Sequence, residues 1–562
     1  ARGWILPAPS ALAEPWVASR VADGLEPDEI RAELEQRWEA LAGEEGFHSW
    51  ADWCIGVQQL FAGKGRAPGL LGPRWGSLGP CKRMRGNGSI TLRRLWGSFN
   101  GLVEAVKLDQ DGRVADAEVV LERVRRRWTL TGLLGPVWTS WDWGQAMLWV
   151  SKVTEVARRV EEAERVERLR EWKSDMGGEW AQGSTRRAFR FAKRLEGLGK
   201  PVGVFVDDSL VTGAGPVSAA IREAWAPVYG QREDVCVDQI QVEWGRVLEQ
   251  LRRPQFVVPP LSGSLLRAAA ERTWAGVSEG PDGLGLADLL WLPSAAWDSV
   301  ADILMEMEVT GWDPVLVVGR VVSLPKSDDG VPLAGGLRPI TVLAMIVRLW
   351  GKARMGQLSE WVASWKHSGQ SGLRGNPGSE YGAWVNALGV EESRVRGVVR
   401  VGVSFDLAKA FDRVDWRVLG LFLGVTGFPE GLSRAVLQLY GSLRRVFQSP
   451  GSRCVSAELE AVRGIPQGCA IAPALMSLVV RFWVAALEDL GLPVEAVVTV
   501  DDVHVGVNVW GSGAAVVSRA RAALRSVVGR SLRFLDCLGM LVNVRKCGAW
   551  STLSSVMSGD GV

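Results

Sequence analysis

The sequence predicts a mixed α/β fold of the α+β type, in which a small antiparallel sheet backed by helices follows a mostly helical N-terminal region. The sheet signal is a strand that breaks into a helix in "VVRVGVSFDLAKAFDRVDW", followed further on by a hairpin in "AVVTVDDVHVGVNV". Between them, "GIPQGCAIAPALMSLVVRFW" predicts a tight loop and a long buried helix. Upstream, "DAEVVLERVRRRW" and "SKVTEVARRVEEAERVERLREW" repeat apolar residues three and four positions apart, which is typical of amphipathic helices.

Composition bounds the class of protein. A chain of 562 residues is too long for one small core, and 47% hydrophobic with 23% charged residues is ordinary for a globular protein. The formal net charge of +2 gives no strong field for or against nucleic acid. Seven cysteines without a C-x-x-C pair indicate a reduced, intracellular chain, nuclear or cytoplasmic, with neither a disulfide framework nor a zinc module. No segment reads as a secretory signal or a membrane span.

Two Asp-Asp pairs follow Val-rich runs, and each is a candidate metal site. Asp207 and Asp208 lie in "GVFVDDSLV", and Asp501 and Asp502 lie in "VVTVDDVHV". Such a pair is a weak signal in a chain with 63 acidic residues, because short motifs match often by chance. The surrounding sequence must therefore decide between the two pairs.

Six segments, taken in chain order, resemble the motifs of the reverse transcriptase domain of non-LTR (LINE-type) retrotransposons. "LPKSDDGVPLAGGLRPI" resembles the finger hairpin, and "QSGLRGNPGS" resembles its Q-x-G-F-R-x-G segment with Leu373 in place of Phe. "FDLAKAFDRVDW", "GIPQGCAIAP", "VDD" and "LGMLVNVRKC" resemble motifs A, B, C and D. The resemblance covers residues from about 305 to 562 and continues more weakly upstream through "SEGPDGLGLADLLWLP".

The resemblance implies RNA-directed DNA polymerase activity by two-metal nucleotidyl transfer. Asp406 and Asp501 are the implied ligands that bridge two Mg²⁺ ions, for which Mn²⁺ is a further candidate. The Leu407 carbonyl is implied to complete one coordination shell, and Asp502 to bind weakly or indirectly. Asp501 and Asp502 follow motifs A and B at the family's spacing. The pair at Asp207 has no such partners and resembles part of the family's linker.

The implied nucleotide site combines phosphate-binding and shape-selecting residues. Lys326 and Arg338 are expected to contact the triphosphate, the first as a point charge and the second as a planar fork. Lys546 of motif D is expected to protonate the leaving pyrophosphate. Phe411, five residues after Asp406, is expected to leave no space for a 2′-hydroxyl and so to favour deoxynucleotides.

Motif B supplies the expected floor of this site. Gln467 and Gly468 are implied to line it, with glycine where no side chain fits between the backbone and the base. Lys409 and Asp412 of motif A are expected to hold the local helix rather than react.

The resemblance also implies a domain division and partners. The expected partners are an RNA template, a DNA primer and dNTPs, with no membrane, and the oligomeric state stays open. The predicted domains are an N-terminal region without an assigned function, a helical linker region, the fingers and the palm, at residues 1–150, 151–260, 261–400 and 401–562.

Three departures from the family pattern leave alternatives open. Thr499 stands where motif C usually opens with an aromatic residue, and motif B carries Ala472–Pro473 where Ser-Pro is common. The chain ends sixteen residues after Lys546, which predicts that the helical thumb is missing. The alternatives are a non-catalytic or decayed RNA-binding remnant, and a maturase-type or telomerase-like reverse transcriptase.

Overall fold

The computed structural model divides the chain into two compact units, Ala1–Gly79 with Lys200–Val562, and Pro80–Gly199. The predicted boundaries near residues 150, 260 and 400 are functional divisions that these units do not test, so they stay predictions. The structure describes residues 4–5, 13–43, 46–61, 90–110, 113–131, 152–160, 162–163, 166–167, 203–207, 209–230, 235–274, 277–326, 332–373, 379–449 and 454–558.

Three helices open the first unit: α1 (Ala13–Ala22), α2 (Pro27–Ala42) and α3 (Trp50–Phe61). Trp53 of α3 is fully buried, and its indole N–H donates to the carbonyl of Ala296, 243 residues further along the chain, at 3.0 Å. These helices therefore share one hydrophobic core with the second half of the sequence.

The second unit contains the helices α4 (Ile90–Gln110) and α5 (Val114–Thr131), with further helical residues at 152–160. Gly101 lets α4 and α5 approach closely, because a Cβ there would lie 2.4 Å from Cγ2 of Val124. The unit has its own small core, in which Leu102 and Val124 are fully buried.

The remaining helices all belong to the first unit. They are α6 (Ala214–Tyr229), α7 (Val237–Glu243), α8 (Gly245–Gln250), α9 (Gly263–Glu271), α10 (Leu286–Leu289), α11 (Ser294–Thr310), α12 (Met345–Gln357), α13 (Ser359–Trp365), α14 (Ser379–Val395), α15 (Ala410–Arg413), α16 (Trp416–Val425), α17 (Glu430–Ser442), α18 (Ala472–Glu488), α19 (Gly513–Cys537) and α20 (Ser554–Met557).

The strands are likewise confined to the first unit among the described residues. They are β1 (Trp4–Ile5), β2 (Gly203–Val206), β3 (Ser209–Thr212), β4 (Val318–Leu324), β5 (Arg338–Val342), β6 (Gln370–Ser371), β7 (Val399–Phe405), β8 (Arg444–Gln448), β9 (Cys454–Val455), β10 (Val494–Thr499), β11 (Asp502–Val509) and β12 (Gly548–Ser551). They form two sheets of five strands and one hairpin of two.

The sheet that contains β7, here called the β7 sheet, has the strand order β12-β7-β11-β10-β6. Its first four strands pair antiparallel, as the sequence predicts, and the short β6 adds a parallel edge. The register places Val503 opposite both Phe405 and Val498. Helix α18 packs against this sheet and is buried over almost its whole length, which confirms the long buried helix predicted after motif B.

The sheet that contains β4, here called the β4 sheet, has the order β1-β9-β8-β4-β5. β4 and β5 form the antiparallel hairpin predicted around "KSDDG", with Leu324 opposite Arg338. The turn at residues 327–331 lies outside the described residues. Across the described residues, no helix combines the length and the apolar character needed to cross a membrane.

Candidate active site

The ends of β7 and β11 place two of the predicted aspartates side by side. Phe405 pairs with Val503, so one further step of the same register sets Asp406 opposite Asp502. Directly opposed residues of an antiparallel pair have Cα atoms roughly 4.5–5.5 Å apart. Asp501 lies in the turn between β10 and β11, next to Asp502. The backbone therefore gathers all three aspartates at one end of the β7 sheet.

The turn that carries Asp501 is conformationally strained. Val500 has a φ of 59°, a left-handed conformation that is a genuine outlier for a β-branched residue. Such strain clusters at functional sites, where the surrounding structure holds it in place. Here Ser371 of β6 holds the neighbouring Thr499 through their hydroxyls, 2.9 Å apart. The Q-x-G segment thus lies beside motif C, at the position where Thr499 replaces the usual aromatic residue.

The segment that resembles motif D fixes Asp406. Asn543 donates its backbone N–H to the Asp406 carbonyl and its side-chain Nδ2 to Asp406 Oδ2, each at 2.8 Å. Lys546 Nζ lies 4.0 Å from Asp406 Oδ1. Sequence reasoning missed Asn543, although it stands three residues before the motif lysine in "LVNVRKC".

The electrostatics of the three carboxylates favour a cation. Burial raises the pKa of Asp501, and the negative charges of Asp502 and Asp406 raise it further, whereas Arg338 acts against them. Carboxylate oxygens are the ligands that Mg²⁺ and Mn²⁺ prefer. The donor set thus fits a hard divalent ion, although in the described parts of the chain no three His, Cys, Asp or Glu side chains converge into a ready ligand group.

The Leu407 carbonyl has the position that a further ligand would need. Leu407 forms a bridge with Val542, but the hydrogen bonds of that bridge run from Asn543 N to Asp406 O and from Ala408 N to Leu541 O. Neither bond uses the carbonyl oxygen of Leu407.

The β4 sheet supplies the opposing positive charges. Lys326 follows β4 and Arg338 opens β5, so both side chains come from the same end of one hairpin. Burial lowers the pKa of Lys326, and the charges of Lys546 and Arg338 lower it further, while Asp406 acts in the opposite direction. These mutual effects place three predicted cations around one carboxylate.

Motif B packs on β5 through its backbone. The Thr341 N–H donates to the Gln467 carbonyl at 2.7 Å. Gly468 has a φ of 132°, and a Cβ there would lie 2.2 Å from the Thr341 carbonyl oxygen. The need for glycine, which the sequence analysis attributed to a base, is thus already set by a neighbouring strand.

Phe411 lies in the short helix α15, five residues after Asp406. Its side chain is partly buried against the core, and its carbonyl accepts the Ile465 N–H at 2.7 Å. The preceding Lys409 has a φ of 57°, a left-handed conformation from which α15 begins. Motif A is thereby tied to the loop that leads into motif B.

Helix α6, predicted as part of a linker, reaches this same region. Trp225 of α6 lies under Lys409 Nζ, 3.9 Å from the ring centroid. Tyr229 donates its hydroxyl to Asp412 Oδ1 at 2.8 Å. The sequence gave no local signal for either contact, because the partners are about 180 residues apart.

The upstream Asp pair lies elsewhere. Asp207 is exposed in the turn of the β2–β3 hairpin, which forms a separate two-stranded sheet. Asp208 lies outside the described residues.

Comparisons with known proteins agree with the motif positions. The family described as "Reverse transcriptase (RNA-dependent DNA polymerase)" matches residues 324–554, less than half of the chain. No curated protein matches the sequence. Among solved structures, one similar chain is apo telomerase from Candida tropicalis truncated from the C-terminal domain, at 12% identity and a TM-score of 0.31. That similarity covers 44% of this chain and 52% of the telomerase chain, and at this score it supports no functional argument. A reverse transcriptase domain is therefore found in residues 324–554.

Proposed function

We propose that the chain is an RNA-directed DNA polymerase of the non-LTR retrotransposon type, which adds dNTPs to the 3′-hydroxyl of a DNA primer on an RNA template. One observation carries this proposal: the carboxylates at the end of the β7 sheet meet the cations at the end of the β4 hairpin around Asp406. A triphosphate with bound cations needs that combination, because its negative charge must be neutralised where the new bond forms. We place the fingers on the β4 sheet and the palm on the β7 sheet.

The metal-binding role falls to the strand ends. Asp406 and Asp501 would hold two divalent ions, with the Leu407 carbonyl as a further ligand and Asp502 as a weaker one. When bound, the ions would supply charge neutralisation for the attacking hydroxyl and the leaving pyrophosphate. Asn543 orients Asp406 for this role by occupying one face of its carboxylate.

The remaining residues bind and select the nucleotide. Lys326 and Arg338 would hold the triphosphate, and binding of that anion would relieve the repulsion between their charges and Lys546. Lys546 is exposed enough to deliver a proton to the pyrophosphate as it leaves. Phe411 would close the space next to C2′ of the sugar.

The direct test is single-nucleotide incorporation with an RNA template, a DNA primer and Mg²⁺, offering dNTP and NTP in parallel reactions. We expect incorporation of dNTP alone, its loss on chelation of the metal, and its recovery with added Mg²⁺ or Mn²⁺. Incorporation that persists with a chelator present would contradict the two-metal mechanism. Binding of the primer–template without any incorporation would favour the non-catalytic remnant instead.

The retrotransposon subtype and an intracellular location, nuclear or cytoplasmic, belong to the same proposal. They are supported by the residues of motif A, "AFDRV", and by the long chain segment before the fingers. Target-primed synthesis is the chemistry of that subtype, so we expect a nicked DNA to serve as primer on an RNA template. Failure with nicked DNA but success with a free annealed primer would argue against the subtype while keeping the polymerase.

A further inference from the structure

Helix α6 makes two side-chain contacts with the short helix of motif A. Trp225 and Tyr229 stand one helical turn apart on α6, so they lie on the same face. They meet Lys409 and Asp412, which stand three residues apart. An upstream helix is therefore matched, residue for residue, to the segment that follows Asp406.

Asp412 uses both of its carboxylate oxygens in these contacts. Oδ1 accepts the Tyr229 hydroxyl at 2.8 Å, and Oδ2 accepts Nε2 of Gln467 at 2.8 Å. The side chain is almost completely buried, at 3% exposure. A buried carboxylate requires compensation of its charge, and it is found here in Arg445, which is itself buried and stacks on the Tyr229 ring at 4.8 Å.

This arrangement fixes which end of the Gln467 amide faces Asp412. An ionised carboxylate only accepts hydrogen bonds, so Gln467 must turn its NH₂ group toward Asp412 and its Oε1 away from it. The backbone of Gln467 is held separately by Thr341 N–H. With the backbone and one end of the amide both fixed, Oε1 has one direction available.

We propose that Asp412 is a positioning residue that joins Tyr229 of helix α6 to Gln467, and so sets the orientation in which the Gln467 amide meets the incoming nucleotide. This inference rests on the proposed function, because Gln467 is assigned to the nucleotide site there. Helix α6 thereby becomes a working part of the polymerase rather than a linker. The contact acts on nucleotide binding and leaves the carboxylates that hold the metal ions unchanged.

Two tyrosine variants separate positioning from packing. Tyr229→Phe removes the hydroxyl that donates to Asp412 and keeps the ring under Arg445. Tyr440→Phe is the matched control, since Tyr440 is fully buried in the same region but its hydroxyl donates to Cys469 Sγ at 3.4 Å. Both changes remove one buried hydroxyl, so a general loss of packing affects them alike.

Steady-state incorporation by the full chain measures the effect. We expect Tyr229→Phe to raise KM for dNTP by about fivefold with kcat changed less than about twofold, from the loss of one hydrogen bond to a charged group. Asp412→Asn should raise KM by about tenfold or more, because an amide at 412 can donate and lets Gln467 turn over. Tyr440→Phe should leave both constants near wild type. Equal effects of the two tyrosine variants, or a wild-type KM in Tyr229→Phe, would overturn the proposal.

A double-mutant cycle tests the linkage independently of activity. We expect the destabilisation by Tyr229→Phe, measured by thermal unfolding, to shrink in a Gln467→Ala background, whereas that by Tyr440→Phe stays the same. If the wild type incorporates no nucleotide, the proposed function fails, and this cycle still decides whether the linkage exists. Additive effects of Tyr229→Phe and Gln467→Ala would overturn it.

Discussion

The two five-stranded sheets contribute opposite charges to the candidate site, and they hold them in different ways. The β7 sheet presents Asp406, Asp501 and Asp502 from strand ends and a strained turn, with Asn543 bonded to the first of them. The β4 sheet presents Lys326 and Arg338 as exposed side chains at the open end of a hairpin. Groups that must hold small metal ions need fixed positions, whereas long cations that follow a flexible triphosphate do not.

The largest effect should come from a carboxylate of the β7 sheet. Asp501→Asn should lower nucleotide incorporation by about 10³-fold or more, because a metal ligand contributes several kcal/mol to the transition state. The matched control is Asp207→Asn, which changes the exposed aspartate of the other Asp pair. Single-nucleotide incorporation measures both variants, and robust synthesis by Asp501→Asn would refute the assignment of the site.

The next effect concerns an acid buried near the β4 sheet. Asp282, 2% exposed, accepts the Met345 N–H at 2.8 Å and so caps helix α12, which follows β5. Burial raises the pKa of Asp282 to about 6. A raised carboxyl pKa stabilises the fold below the unfolded value and loses that contribution as the pH rises through the folded value.

Asp282→Asn should therefore remove part of the pH dependence of stability. Between about pH 4 and 7 the free energy of unfolding of the wild type should fall by up to about 3 kcal/mol through this group, at 1.36 kcal/mol per pKa unit. Asparagine keeps an oxygen acceptor for Met345 and does not titrate. Denaturant unfolding at several pH values measures the difference, and parallel curves for the two proteins would show that Asp282 does not carry it.

A smaller effect should appear at Phe411, which follows the β7 strand. Phe411→Ala should reduce the preference for dNTP over NTP by about tenfold to hundredfold, as expected when a pocket loses the bulk that rejects one hydroxyl. The ratio of kcat/KM for the two nucleotides is the measurement. An unchanged ratio, with activity retained, would place the sugar selection at another residue.

The smallest effect should come from the cations of the β4 sheet. Lys326→Gln should raise KM for dNTP by about tenfold, through loss of one charge near the triphosphate, and the effect should weaken at high salt. Arg444→Gln is the control, since Arg444 lies in the same sheet but pairs with Glu458 at 3.3 Å. Similar changes in both variants would indicate a general electrostatic effect and no specific phosphate contact.

The sequence predicted the parts of this site that depend on local pattern. Alternating valines with a central Asp pair predicted the β10–β11 hairpin, and the apolar run after motif B predicted α18; both are confirmed. The pair of Tyr229 and Asp412 was not predicted, because a contact across 183 residues leaves no periodicity behind. The reason for glycine at 468 was equally hidden, since it depends on the backbone of Thr341 in another strand.

The division of the chain into units also affects the order of biosynthesis. Helices α1 to α3 leave the ribosome long before the residues that cover them, such as Ala296 and Asp288, which bond Trp53 and the start of α1. Residues 80–199, a unit of their own, are made in between and can fold while these helices wait. During that interval the tryptophans of α2 and α3 face solvent or a chaperone. The nascent chain should therefore depend on protective binding until translation has passed about residue 310.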